Sequence, residues 1–287
     1  MIRLEPALVA ALAAVGGVIA TSASAADLPT LPPAPVPVAV ESFAGGWYLR
    51  GDIGLSSQRS DDPKNPLLDA AQPAAAVETL QSDFSSAGFV GAGVGYRFNS
   101  WFRADVTGEY RGRANYRGLD RVRWIGANGF NQTNELYFDK SEWVGLVNGY
   151  LDLGSWYGIT PFVGAGIGFA HVTIDNFRDI GTIFPSNVSG FSNSVVYADK
   201  ESRTNFAWAL YAGLGYEVSP NLSLELGYRY LAMGDGGTGE TYRFDGVSTV
   251  RDEWEIDAIR SHDLKLGMRW NLQAPARVHP APLSRSF

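Results

Sequence analysis

Residues 208–230 constrain the fold most strongly, because their side chains alternate in character with almost no break. Mostly bulky apolar side chains occupy every second position, and mostly small or charged side chains occupy the positions between them. A short turn at Ser219, Pro220 and Asn221 divides the stretch into two halves. Side chains of a β-strand point to opposite faces with a period of two. The stretch therefore predicts a β-hairpin with one apolar face and one small or charged face.

The same alternation recurs elsewhere and brings the number of predicted strands to eight, at residues 47–55, 89–98, 102–111, 142–153, 162–169, 208–218, 222–230 and 262–272. A strand of about 9 to 11 residues crosses a bilayer at a tilt. The intervening segments are short at one end, at 99–100, 154–160 and 219–221. They are long at the other end, at 58–87, 112–140, 175–205 and 232–260.

An even number of strands with short and long connections sorted to opposite ends is typical of bacterial outer-membrane proteins. The sequence thus predicts an all-β fold, an eight-stranded antiparallel transmembrane β-barrel with short periplasmic turns and four long extracellular loops. Alternation alone also fits a soluble barrel or sandwich whose apolar face lies inside. The glycines and the aromatic residues decide between these alternatives.

An eight-stranded barrel has an interior just wide enough to be filled by side chains. The face that carries many of the 33 glycines fits this interior better than the bulky face does. Aromatic side chains near strand ends suit the two membrane–water interfaces. These residues are Trp47, Phe98, Trp101, Phe102, Trp143, Phe162, Trp208, Tyr216, Tyr228, Tyr230 and Trp270. We therefore expect lipid outside the barrel.

The chain divides into four predicted regions: a signal peptide at 1–26, a proline-rich periplasmic leader at 27–45, the barrel at 46–272 and a tail at 273–287. The signal reading depends on Arg3, an apolar run at 7–20 and small residues ending at Ala26. That run is shorter than the ~20 residues of a spanning helix. Export to the cell outer membrane of a Gram-negative bacterium follows.

Charge and cysteine content exclude other classes of protein. The formal net charge of −7 argues against nucleic-acid binding, which requires a basic surface. Cysteine is absent, so strand pairing and packing must stabilise an exported chain without disulfides. We expect no cofactor and no metal site.

At this point the sequence resembles the small outer-membrane β-barrel family, and within it the porin-family surface proteins of alphaproteobacteria. The likeness is carried by ADLP at 26–29, GWYLRG at 46–51, TPFVGAGIG at 160–168, LGYRY at 226–230 and HDLKLG at 262–267. The family is similar to the transmembrane part of OmpA, and the resemblance implies assembly by the barrel-assembly machinery. Family members end at an aromatic residue, whereas here a tail follows Trp270. Either the machinery reads the internal strand, or Phe287 with Leu283 substitutes for its end.

The charged residues of the glycine-bearing face are predicted to fill the lumen with ion pairs, because unpaired charges in a narrow interior are costly. The predicted interior network is Arg50, Asp52, Arg97, Arg103, Asp105, Glu109, Asp152, Glu225, Arg229, Asp263, Lys265 and Arg269, with Arg111, Glu142 and Glu217 on the same face. A gated ion path through these charges is the alternative. In the second long loop, Arg113, Arg117, Arg121 and Arg123 are predicted contacts for lipopolysaccharide phosphates.

Catalysis is not expected. A serine hydrolase needs a histidine beside an exposed serine. The barrel histidines, His171 and His262, are three strands apart, and Ser261 points away from His262. The favoured function is a structural one, with a role in envelope integrity and surface display and with outer-membrane lipid and lipopolysaccharide as partners. The alternatives are a porin for small solutes, or an adhesin or surface antigen whose loops bind a host or surface ligand.

Overall fold

The computed structural model describes residues 45–65, 75–124, 130–185, 192–243 and 253–272. The predicted signal peptide, nearly all of the leader and the tail lie outside these residues. No helix in the described ranges is long and apolar enough to span a membrane.

The described residues form eleven β-strands. In chain order they are β1 (Gly46–Arg59), β2 (Ala75–Phe84), β3 (Ala87–Arg97), β4 (Phe102–Trp124), β5 (Phe130–Asp152), β6 (Ile159–Pro185), β7 (Ser192–Ala198), β8 (Glu201–Ser219), β9 (Leu222–Gly237), β10 (Thr241–Arg243) and β11 (Glu255–Asn271).

Eight of these strands close into an antiparallel ring, in the order β1, β3, β4, β5, β6, β8, β9, β11 and back to β1. The first and last strands pair over a long register that runs from Tyr48 opposite Asn271 to Arg59 opposite Arg260. The hairpin predicted from residues 208–230 is the β8–β9 pair. The eight-stranded antiparallel barrel predicted from the sequence is confirmed.

The outward side chains around the ring are apolar and exposed, as expected for a lipid-facing belt. Leu55 is 65% exposed and Phe206 is 66% exposed, which a surface in water does not favour. Trp47, Trp101 and Trp270 lie on this face at the short-turn end, and Trp143 lies on the same face within β5, below the sheet extension. The placement of Phe162 among the interface aromatics is wrong, since its ring points into the lumen and is 6% exposed.

The narrow lumen depends on glycine at positions where large rings cross it. A Cβ atom at Gly164 would lie 2.5 Å from the ring of Tyr150, which is closer than real Cβ contacts allow. The lumen therefore accommodates Tyr150 only because its neighbour on β6 has no side chain.

The strands continue well beyond the predicted barrel, and much of the four predicted long loops is β-structure. Strands β4, β5 and β6 have 23, 23 and 27 residues, and β2 and β7 add to their free edges. We call this region the sheet extension: β2, β7, β10, and residues 113–124, 130–141 and 172–185 of β4, β5 and β6. It stands over the barrel at the end opposite to the short turns.

The polarity of the two faces inverts where the barrel becomes the sheet extension. On β4, Val106 and Tyr110 face outward in the barrel, whereas Arg113, Asn115 and Arg117 face outward in the extension. The inner face of the extension instead carries buried apolar residues. These form a cap cluster above the lumen, which includes Tyr116, Leu136, Phe138, Phe177, Trp254 and Ile256. The rings of Tyr116 and Phe138 stack there, with centroids 4.5 Å apart.

Candidate functional site

The lumen of the barrel holds a dense set of charged side chains that the alternating strands point inward. The structure places all twelve residues of the predicted interior network there, and all except Arg97 are buried. They fall into two connected groups. The lower cluster, nearer the short turns, consists of Arg50, Asp52, Arg97, Arg103, Asp105, Asp152, Glu225, Lys265 and Arg269.

Arg50 organises the lower cluster. Its guanidinium donates to Asp52 at 2.9 Å and to Asp105 at 2.8 Å, so that it joins carboxylates from two strands. It also donates to the hydroxyl of Tyr150 at 3.0 Å. Arg103 lies over the ring of Tyr150, with its guanidinium carbon 4.4 Å from the ring centroid. Charged and aromatic groups thus pack together across the full width of the lumen.

The upper cluster lies nearer the sheet extension and consists of Glu109, Arg111, Lys140, Glu142, Arg229 and Asp263. Arg229 donates two hydrogen bonds to Glu109, at 2.9 and 2.6 Å, and one to Asp263 at 2.8 Å. Arg111 donates to both oxygens of Asp263, at 3.0 and 2.9 Å. Such forked pairs are the strongest that arginine forms with carboxylates.

Two residues differ from the sequence interpretation of this site. Lys140 was predicted to lie in a loop, but it is fully buried and forms an ion pair with Glu142. The sequence could have indicated this position, because Lys140 is two residues before Glu142 and a period of two places both side chains on the same face of β5. Glu217, predicted to face the lumen with the others, is exposed at the short-turn end of β8, where the strand has left the lumen.

The cavity at the lower cluster is small. A cavity of about 10 Å³ lies between Arg50, Tyr150, Tyr211 and Lys265. A single water molecule needs a cavity of about 10 to 15 Å³. The cap cluster closes the same lumen above the upper cluster with packed rings. A polar layer of ion pairs and an apolar layer of rings therefore follow one another along the barrel.

The four arginines predicted as lipopolysaccharide contacts do not lie in a loop. They occupy alternate outward positions of β4 in the sheet extension. Arg121 and Arg123 both form ion pairs with Glu78 on β2, at 3.3 Å. Arg113 is 3.8 Å from Asp139, and Arg117 has no ion pair within the described part of the chain. The set is therefore not equivalent, and only part of it is free to bind a further anion.

The histidines of the barrel do not form a catalytic arrangement with the serine beside them. Ser261 is buried and accepts a hydrogen bond from Arg111 at 3.1 Å, inside the lumen. His262 is on the outward face, where its Nδ1 lies 2.5 Å from the Tyr228 hydroxyl. His171 is on β6, and two strands of the ring separate it from β11.

Comparison with known proteins gives a consistent result. The family model described as "Outer membrane protein beta-barrel domain" matches residues 10–250. An uncharacterized protein of Brucella abortus (strain 2308) is 35% identical over 278 residues, which cover 88% of this chain and 94% of that protein. Outer membrane protein PagN of Salmonella typhimurium is 30% identical over 186 residues, 63% of this chain and 71% of that protein. A putative adhesin of Rickettsia bellii (strain RML369-C) is 26% identical over 231 residues, 79% of this chain and 88% of that protein.

Proposed function

Because this chain belongs to the outer-membrane β-barrel family and resides in the bacterial outer membrane, we propose that it is a sealed barrel with a structural role in the envelope. Its apolar belt anchors it among lipids. Short turns of such barrels face the periplasm, so the sheet extension stands outside the cell. The protein contributes to envelope integrity and displays the sheet extension at the surface.

The filled lumen is the observation that supports this role over transport. A porin needs a continuous aqueous path, whereas ion pairs and rings occupy the lumen here, with a cavity of about 10 Å³ between them. Opening a path would separate charges that are paired in a medium of low dielectric constant, which costs several kcal/mol per pair. Passage of small solutes is therefore the less supported alternative.

Conductance in planar lipid bilayers tests the sealed lumen. We expect the purified protein to insert without producing stable single-channel steps, while a known porin conducts in the same bilayers. Reproducible steps of uniform size from the purified protein would favour the porin alternative.

Deletion of the gene in the source bacterium distinguishes the two roles, because each role predicts a change in a different property. Loss of a structural barrel raises sensitivity to detergents and large antibiotics, because the envelope is weakened. Loss of a porin lowers the uptake of small polar solutes and leaves detergent resistance unchanged. We expect the first result, restored by the wild-type gene.

Adhesion is a second candidate function, and it is compatible with the first. The Rickettsia bellii relative carries the name putative adhesin. The sheet extension offers this chain an ordered surface outside the membrane. Attachment of a non-adherent bacterium that displays this protein, measured against the same bacterium displaying an unrelated small barrel, tests it. Catalysis is not part of the proposal, because Ser261 and His262 face opposite sides of the wall.

A further inference from the structure

The outward face of the sheet extension carries a row of arginine and tyrosine side chains that crosses five strands. Arg117 on β4 is directly opposite Tyr137 on β5, and Tyr137 is opposite Arg178 on β6. The row continues through Tyr197 on β7 to Tyr242 on β10. We call these five residues the Arg–Tyr ladder. The residues on either side of Arg117 and Tyr137 point to the opposite, buried face.

The two arginines of the ladder are available to an external anion. Both are exposed, and neither forms an ion pair with a carboxylate among the described residues. Two carboxylates border the row without an ion pair to either arginine: Asp83, opposite Arg117 on β2, accepts a hydrogen bond from Gln81 at 3.3 Å, and Glu135 accepts one from Tyr137 at 2.7 Å. By contrast, the neighbouring Arg121 and Arg123 share Glu78.

The tyrosines give the ladder flat apolar surfaces beside its charges. Tyr197 and Tyr242 are stacked, with ring centroids 6.0 Å apart and planes inclined by 28°. The guanidinium of Arg178 lies 6.0 Å from the centroid of Tyr197. Beside these rings is a polar groove of about 370 Å³, which is lined by Arg178 and Lys200 and also by the carboxylates of Asp175 and Asp199. The C–H faces of sugar rings pack on tyrosine, and acidic substituents pair with arginine and lysine.

The spacing of the two arginines fits a repeating anionic chain. They lie two strands apart with Tyr137 between them. Neighbouring strands are about 4.8 Å apart, so the arginines are separated by roughly 10 Å. This separation is comparable with the length of a disaccharide. One sugar unit over Tyr137 would place acidic groups on both sides of it.

The height of the Arg–Tyr ladder above the membrane determines which part of a neighbouring lipopolysaccharide it can contact. Tyr137 is six residues beyond Trp143, which lies on the outward face at the edge of the apolar belt. At about 3.4 Å per residue this is roughly 20 Å along the strand, or about 15 Å in height at the usual tilt. The ladder is therefore above the lipid headgroups. Its face continues the lipid-facing surface, so it is directed sideways along the membrane toward neighbouring lipopolysaccharide molecules.

We propose that the Arg–Tyr ladder binds the phosphorylated core saccharide of adjacent lipopolysaccharide, with Arg117 and Arg178 holding phosphate groups and the tyrosines packing against sugar rings. This inference depends on the proposed function only for the outward orientation of the sheet extension. The proposed site differs from the four arginines predicted from the sequence, Arg113, Arg117, Arg121 and Arg123. Of these it keeps Arg117. It adds Arg178, Tyr197 and Tyr242, which lie on other strands and so could not be found from residue spacing along β4.

The test uses the full-length folded protein, purified free of lipopolysaccharide in detergent, and phosphorylated core oligosaccharide released from its lipid. Titration calorimetry compares the wild type with the double variant Arg117→Gln/Arg178→Gln. We expect binding to weaken about tenfold in this variant, since two charge-assisted contacts are lost. The matched control Arg121→Gln/Arg123→Gln removes the same charge from the same face. Its binding is expected to stay within about twofold of wild type, because those arginines are already paired with Glu78.

Further ligands test whether the phosphate groups of the core saccharide, and not those of another anionic molecule, are recognised. Dephosphorylated core should bind more weakly than phosphorylated core, and added salt should weaken the binding of the phosphorylated form. Equal affinity for wild type and the Arg117→Gln/Arg178→Gln variant would overturn the proposal. So would binding of lipid A alone with no binding of the free core, or tighter binding of a sulfated polysaccharide than of the core. Bilayer conductance is a separate readout, so failure of the sealed-barrel function would be recognised independently.

Discussion

Arg229 illustrates what the narrow lumen requires of a single residue. It is 1% exposed and lies between Glu109 and Asp263, with hydrogen bonds to both. Arg111 reaches the same two carboxylates from the other side. The two arginines compensate a pair of negative charges that would otherwise repel each other in a medium of low dielectric constant.

Replacement of Arg229 by leucine should therefore destabilise the barrel. We expect a loss of about 3 to 5 kcal/mol, because the change leaves buried carboxylates without a partner. Urea unfolding in detergent micelles measures this loss. The matched control is Arg260→Leu, which breaks an exposed pair with Asp61 at 2.5 Å and should cost less than about 1 kcal/mol. An Arg229→Leu barrel as stable as the control would contradict a stabilising network.

Asp179 behaves differently, because it is an acid with no cation beside it. It lies in the sheet extension, and its Oδ1 atom has no hydrogen-bond partner in the described chain. Burial, with a further contribution from the charge of Asp120, raises the pKa of Asp179 to about 7. Burial also raises the pKa of Asp120. The folded extension therefore binds protons more tightly than the unfolded chain does.

The pH dependence of the sheet extension follows from this shift. A raised pKa in the folded state stabilises below the ordinary pKa of about 4, and that contribution is lost as the pH rises through about 7. We expect the wild-type extension to resist proteolysis better at pH 5 than at pH 8. Asp179→Asn removes the ionisation, so the variant should exceed the resistance of wild type only slightly at pH 5, where most of the contribution remains, and by clearly more at pH 8. An identical decline in both proteins between these pH values would exclude Asp179 as its source.

At the level of the strands, the sequence predicts the part that crosses the membrane and not the part that leaves it. In the barrel, alternation places apolar residues outward, and the eight strands and the turn at Ser219 were predicted from it. Beyond the membrane the alternation continues with inverted polarity, since Tyr116 and Leu136 point inward and Arg117 points outward. These residues were therefore predicted to be loops, because the prediction assumed that the apolar face of every strand points outward. Register shifts on β4 between Arg111 and Ala114 also break the period of two.

For the lumen site, the sequence predicts which residues face inward but not which residues pair with each other. The period of two gives the inward face of each strand, and so gives Arg50, Asp105 and Arg229 as lumen residues. It does not give their partners, because pairing across the lumen depends on the stagger of the whole ring. Lys140 was missed because it lies in the part of β5 that was read as a loop. The Arg–Tyr ladder was missed because Arg178, Tyr197 and Tyr242 meet Arg117 only through cross-strand register.

At the scale of the whole molecule, closure of the ring joins the lumen and the lipid-facing belt into one structure. The pairing of β1 with β11 removes the free edges of the barrel sheet, which is what allows strands to stand in lipid. It also brings Asp52 on β1 within 3.5 Å of Lys265 on β11. We call the β1–β11 pairing the seam of the barrel. The lower cluster thus depends on the same pairing that closes the ring.

The seam can be tested with a pair of cysteines, because the chain has none of its own. Ser57 and His262 are directly opposite each other on β1 and β11, and both are exposed at the outer rim. Opposite residues of antiparallel strands have Cα atoms about 4.5 to 5.5 Å apart, within the range of a disulfide. The folded Ser57→Cys/His262→Cys variant should cross-link completely under mild oxidant, which a reducible shift in gel mobility detects. The control Ser57→Cys/Thr204→Cys carries its second cysteine on β8, two strands from β11, and should remain reduced. Cross-linking of both variants at the same rate, or of neither, would mean that β1 and β11 do not meet.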